Sequence, residues 1–349
     1  MAARSRNTSR SMIRLILSFI LLLPLGRCHG PALDCRQEDL TCSTTTLIAS
    51  GLLNPIDCSD DGIVWTSHSA SEANTWYAAT HGNNTFAAVS LDGTNRVMTS
   101  ADGTSWTPRS AAEANGWNAI AFGNGLFVAL SSTGTNRIMT SADGITWTPR
   151  AAPEANLWYG ITYGDGIYVG VANNGTNQVM TSTDGVNWNP HAAAEANQWG
   201  AVTFGNGTFV AVSYNGTNRV MSSTDGTSWF PRAAAGTSTW RSVTYGNGLF
   251  VAVAISGATR LMTSPDGVTW TGRTIPEANQ WASVTYGDGL FVAVSSDGTN
   301  RIMTSTDGIN WVSRTAPAAN QWQTVTYGNG QFVAVSQDGT NRVMTSTCD

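Results

Sequence analysis

Carboxylates, amides, guanidinium groups and indoles recur in this chain at fixed spacing, and such groups together can recognise or cleave a sugar. A Glu-Ala-Asn-x-Trp segment carries Glu113, Asn115 and Trp117, and returns as Glu154, Asn156 and Trp158, as Glu195, Asn197 and Trp199, and as Glu277, Asn279 and Trp281. Between these segments stand Arg137, Arg219 and Arg301, with Arg96, Arg260 and Arg342 at the same place in other copies and Gln178 in the remaining one. Glycosidic hydrolysis needs two carboxylates held in unequal environments across one bond. Here Glu72 completes a series of equivalent glutamates, Gly236 and Ala318 stand where copies are missing, and nothing singles out one acid. No catalytic residue is expected. Recognition fits better: amides and carboxylates bond hydroxyls, an indole offers an apolar platform, and several weak sites together gain roughly 10²–10⁴ in avidity. The same Glu, Asn and Arg could instead tie their segment to a neighbouring part of the fold.

Metal chemistry has little footing. Of the four histidines, His68 and His191 alternate with Arg at one repeat position, His81 replaces an aromatic residue, and His29 lies near the N-terminus. No ligand spacing emerges. Asp92-Gly93-Thr94-Asn95 has the look of a calcium loop, but Thr133 and Ser256 replace the aspartate in other copies, so it reads as a turn. No metal and no cofactor are expected.

These groups are positioned by a repeat. All 14 tryptophans fall into two series, Trp65, 106, 147, 188, 229, 270, 311 and Trp76, 117, 158, 199, 240, 281, 322, each stepping by 41 residues. A period of about 20–50 residues marks a repeat architecture. In the unit that starts at Trp117, strands are predicted over 117–122, 126–131, 137–141 and 145–150, separated by Gly123-Asn124-Gly125, Gly134-Thr135-Asn136 and Ala142-Asp143-Gly144. Four short strands in a meander are one blade of a β-propeller. Pro108, Pro149, Pro190 and Pro231 place the fourth strand at the blade's edge, because proline cannot donate to a ladder. Small residues in the first strand, such as Ala78, Ala119, Thr162 and Thr203, suit the crowded centre of a ring.

The lattice opens with a fourth strand lacking its first three, near Ile63, and finishes with Trp322 to Thr347, three strands lacking a fourth. Ser59 to Thr345 is 287 residues, seven times 41. The fold class expected is therefore all-β, a seven-bladed propeller of four-stranded antiparallel blades closed by pairing the N-terminal strand into the last blade. Cys58 and Cys348 fall at that seam, where a bridge would fasten the ring by up to about 5 kcal/mol. Cys35 and Cys42 would then pin the segment before it. Four thiols permit three connectivities, and free buried thiols at the seam are the alternative.

The turn before each fourth strand reads Ser-x-Asp-Gly-x-x-Trp, as in Ser100 to Trp106 and Ser264 to Trp270, with Asp61, Asp102, Asp143, Asp184, Asp225, Asp266 and Asp307. This resembles the Asp-box, or bacterial neuraminidase repeat, of sialidase-like propellers, one residue shorter between Asp and Gly. The motif is expected to be structural, the carboxylate accepting from its own turn and the Trp burying against the next sheet. The methionine series from Met98 to Met344 and the aromatic series from Phe86 to Phe332 are expected in the core. The resemblance implies that the Asp-box turns face away from the ligand side, so the Glu-Ala-Asn-x-Trp linkers and the Arg-bearing hairpins share the opposite rim. A sialidase would further need an arginine cluster, a Tyr–Glu pair and a general acid, whereas these arginines stand one per blade.

The ends and the charge complete the picture. Arg4, Arg6, Arg10 and Arg14 precede an apolar run from Leu15 to Leu25, so residues 1–30 read as a secretory signal, 31–57 as a leader and 58–349 as the propeller. Losing the signal removes five arginines and no acid, taking the formal charge from −5 to −10. All 18 basic residues are arginine. An acidic, lysine-free surface argues against nucleic acid or anionic lipid, and no membrane insertion is expected after cleavage. Asn83, Asn174, Asn206 and Asn215 lie in glycosylation sequons. The expected function is secreted, non-catalytic binding of carbohydrate, with an Asp-box glycosidase or a scaffold for an extracellular protein as alternatives. The repeats vary most beside the second Trp series (Thr75, Gly116, Leu157, Gln198 before it; Tyr77, Asn118, Tyr159, Gly200 after it), and specificity is expected there.

Overall fold

The computed structural model describes residues 63–348, and every regular element among them is a β-strand. They form seven four-stranded antiparallel sheets. Blade two shows the pattern: Trp117–Gly123, Leu126–Ser131, Ile138–Ser141 and Thr148–Arg150 pair in chain order. Blade one begins the same way at Trp76, and blade seven at Trp322.

Blade seven takes its fourth strand from the other end of the chain. Ile63–His68 pairs with Val343–Cys348, setting Trp65 opposite Ser346 and Ile63 opposite Cys348. Trp65 and Phe332 share that sheet with ring centroids 6.4 Å apart. The protein is a seven-bladed β-propeller closed by its N-terminal strand. Cys35, Cys42, Cys58 and Asp61 lie outside the described residues, as does the side chain of Cys348, so both expected bridges fall outside them too.

The core lies between blades. Ala87, Val89 and Val97 of blade one meet Trp117, Phe127, Ala129 and Met139 of blade two, all fully buried. Burying each large apolar side chain contributes roughly 1.5–3 kcal/mol, so seven such interfaces hold the ring. Each first strand ends in glycine because the next blade's aromatic ring lies on it. A Cβ at Gly123 would stand 2.1 Å from Tyr163 Cγ. Around the ring this contact closes on itself, with Gly328 of blade seven under His81 of blade one.

Three strand boundaries differ from the sequence expectation, the first strand running on to Gly123. The fourth strand starts at Thr148 rather than 145, because Ile145 N and Thr146 N donate to the Asp143 carboxylate at 2.8 and 2.9 Å instead of joining a ladder. The third starts at Ile138, Arg137 still belonging to the hairpin.

Candidate functional site

The ring has two unlike ends. At one, the described Asp-box turns meet the Gly-Asn-Gly-type turn of the preceding blade: Asn83 Nδ2 donates to Ala142 O at 3.2 Å and Gln331 Nε2 to Asp102 O at 2.8 Å. Within the turn, Asp102 Oδ1 accepts from Ser105 N, Thr104 N and Ser100 Oγ, all at 2.9 Å, and Trp106 Nε1 donates to Gly103 O. The N–H groups of Ser105 and Thr104 hold the Asp102 carboxyl far below the usual range. Asp143, Asp184, Asp225, Asp266 and Asp307 repeat the arrangement. A groove of about 330 Å³ between the Asp102 and Asp143 turns is lined by Thr85, Arg109 and Ile145. It is a gap between two repeated turns whose carboxylates already serve the fold.

The other end carries the linkers and the Arg-bearing hairpins. Glu113 accepts from Asn136 Nδ2 and, at 3.2 Å each, from Asn136 N and Asn115 Nδ2. Asn115 Nδ2 also donates to Asn136 O at 2.7 Å. Arg137 Nη1 reaches the next blade, donating to Asn156 O at 2.7 Å. The network recurs at Glu154, Asn156 and Asn177, at Glu195, Asn197 and Asn218, and at Glu277, Asn279 and Asn300. Arg219 and Arg301 bridge to Ser238 O and Asn320 O. Trp117, Trp158, Trp199 and Trp281 are 0% exposed, each with its indole N–H on the backbone carbonyl of the linker glutamate. This corrects the expected indole platform: a wholly buried ring has no face for a sugar.

What this end does offer lies on the axis. The register of first and second strands slips in every blade just after the second-series Trp, where Trp76 faces Ser90 but Ala78 faces Val89. The extra residue of each such bulge is Tyr77, Asn118, Tyr159, Gly200, Arg241, Ala282 or Gln323. A bulge re-aims a side chain out of the pleat. All seven of these residues line one cavity of about 160 Å³ that touches the first strand of every blade, which only the ring's axis can do.

Arg241 dominates that cavity. It is half-buried, its Nη1 donates to the Tyr214 hydroxyl at 3.0 Å, and its guanidinium carbon lies 4.9 Å from the Tyr77 ring centre and 5.9 Å from that of Tyr214. A guanidinium stays charged at any physiological pH. Burial pushes the Tyr214 hydroxyl up to about 12, against the pull of Arg241, so it remains a neutral phenol. Burial also raises Tyr159. The lining contains no carboxylate, imidazole or thiol. Among the described residues no group of three His, Cys, Asp or Glu is placed to hold a metal.

Sequence reasoning marked Tyr77, Asn118, Tyr159 and Gly200 but passed over Arg241, Ala282, Gln323 and Tyr214. A signal was present. The other arginines of the repeats sit in the third- or fourth-strand registers, and Arg241 alone stands off both.

The comparisons with known proteins bear on the fold. A family described as the DUF6242 beta propeller domain matches residues 231–349, about a third of the chain. No curated protein matches the sequence. Among solved structures, a catalytically inactive virginiamycin B lyase from Staphylococcus aureus, with quinupristin, superposes with a TM-score of 0.73 at 13% identity, covering 82% of this chain and 100% of that one. YCF48 from Cyanidioschyzon merolae is similar with a TM-score of 0.61 at 13% identity, covering 81% and 98%. YCF48 bound to D1 peptide gives 0.63 at 14% identity, covering 85% and 100%. These likenesses establish the propeller fold of this chain.

Proposed function

We propose that this protein is a secreted, non-catalytic binding module that takes its ligand at the axial cavity on the linker-side end of the ring, and that the ligand is carbohydrate. One observation carries the reading. Seven positions equivalent in sequence and register hold six residue types around a single cavity, whereas the Trp just before each of them is the same in every blade. A scaffold requires the repeated residue, and a site for one asymmetric ligand requires the varied ones. Phenol rings at Tyr77 and Tyr159 with amides at Asn118 and Gln323 supply the stacking and hydrogen bonding that sugar recognition uses. The linker glutamates, by contrast, already have partners.

Binding is favoured over turnover because the lining offers no acid–base pair to move a proton near neutral pH. The Ser-x-Asp-Gly-x-x-Trp turns support kinship with the Asp-box repeat, and the basic segment with its apolar run supports export. A protein partner is the second reading, favoured by the peptide held by YCF48. A glycan array probed with the secreted protein tests the proposal: defined glycans should be retained, and silence across the array would remove carbohydrate as the ligand.

A further inference from the structure

Arg241 has more donors than the protein uses. A guanidinium carries five N–H groups, and among the described residues the protein accepts from Arg241 once, at Tyr214. None of its nitrogens is both buried and unpartnered, so the free donors open into the axial cavity. Among the described residues no carboxylate partners Arg241, and no second cationic side chain lines the cavity. The surroundings hold the group in place: the Tyr77 ring lies 4.9 Å away and Tyr214 bonds one end. The space for Tyr214 is itself built in, because a Cβ at Gly200 would stand 2.6 Å from Tyr214 Cζ.

We infer that Arg241 is an anion-binding centre for the carboxylate of the ligand, gripped by the free edge of its guanidinium inside a cage of tyrosines. Resting on the axial reading above, this narrows the ligand to an acidic one. A planar fork of N–H donors matches a carboxylate bidentately, and one cation without a neighbour suits a monoanion rather than a dianion. At about 160 Å³ the cavity lies below the roughly 300–1,000 Å³ typical of drug-sized ligands, so it admits a head group and not an oligosaccharide. An acidic sugar and a simple carboxylic acid share this chemistry, and the test separates them.

Saturation-transfer NMR and calorimetry on the full chain would use sodium D-glucuronate, D-glucose and sodium acetate as probes, with Arg241→Ala and Arg241→Lys as variants. Gly200 and Ala282 occupy the equivalent positions of adjacent blades, so Arg241→Ala should fold, as its melting curve will show. Glucuronate should bind at least tenfold more tightly than glucose, acetate should compete with it, Arg241→Ala should lose at least tenfold, and Arg241→Lys should be intermediate. Glucuronate binding no better than glucose with no binding of acetate at Arg241, or either anion binding equally well to Arg241→Ala, would overturn the inference. If an array retains neutral glycans while glucuronate fails here, the anion centre is wrong and the carbohydrate reading stands. If acetate binds at Arg241 while glucuronate fails and arrays stay silent, the anion centre stands and the carbohydrate reading falls.

Discussion

Tyr214 occupies the space that a side chain at Gly200 would need. Its Cζ lies 2.6 Å from where a Cβ would be, and from there its hydroxyl accepts from Arg241 at 3.0 Å. Blade four thus gives up its own bulge side chain and sends in one from the residue just after its second strand, Thr208–Ser213. Gly200→Ala should displace the Tyr214 ring. Overpacking costs typically 1–3 kcal/mol, so a lower melting temperature is expected together with altered binding at Arg241. An unchanged melting temperature with unchanged binding would contradict this geometry.

His81 should make the seam between blades seven and one sensitive to pH. It stands where other blades carry Phe or Tyr, packs 4.6 Å from the Phe86 ring, and has a buried Nε2 without a partner. Burial lowers its pKa below 6.5, partly opposed by Asn329. The unfolded chain therefore binds a proton before the folded one does, so stability is complete above pH 6.5 and falls as pH drops below it. His81→Phe should flatten that slope in urea melts between pH 7 and 5, leaving the part that burial of His191 contributes. It should also add about 1 kcal/mol by eliminating the orphaned nitrogen. An unaltered slope would show that another group sets it.

The Asp-box carboxyls act at lower pH. Asn187 N and Val186 N each donate to Asp184 at 2.8 Å and hold its pKa far down. At Asp307 burial works against the bonds from Asn310 N and Ile309 N, and the carboxyl rests at about 2. Depressed carboxyls stabilise fully above about pH 4 and lose that contribution as pH falls through their folded values. Acid unfolding should therefore extend towards pH 2. Asp184→Ala should cost roughly 1–2 kcal/mol without touching ligand affinity. A loss of binding in a stable variant would move the site to the Asp-box end.

Glu113 tests the linker rim. It accepts from Asn136 and Asn115, joining a linker to its own blade's hairpin. Glu113→Ala should lose about 1–3 kcal/mol of stability, the cost of orphaning those donors. Ligand affinity measured well below the melting temperature should not change. Weakened binding there would restore the one-site-per-blade reading.

Architecture was legible in the sequence because it is periodic. The Trp65 and Trp76 series fixed the blade count, and the complementary fragments at Ile63 and Trp322 located the seam. The fourth strand was overextended because the Asp143 carboxylate captures the N–H groups of Ile145 and Thr146, which pattern alone reads as strand. The rim tryptophans were misjudged because an indole in a linker reads the same whether it faces solvent or the next blade. The axial site was harder still. Trp76-Tyr77-Ala78 looks like simple alternation, and only the slipped register shows Tyr77 as a bulge. The 41-residue step makes Gly200 and Arg241 equivalent, but nothing in sequence brings Tyr214 to them: it lies beside Gly200 through the pairing of Trp199 with Ser213 and reaches Arg241 across the blade boundary.

A single axial site per ring fixes the stoichiometry of binding. Calorimetric titration of the tightest glycan from the array would measure it directly. One ligand per chain is expected, with loss of that binding in Arg241→Ala. A stoichiometry near seven, or full binding by that variant, would contradict it.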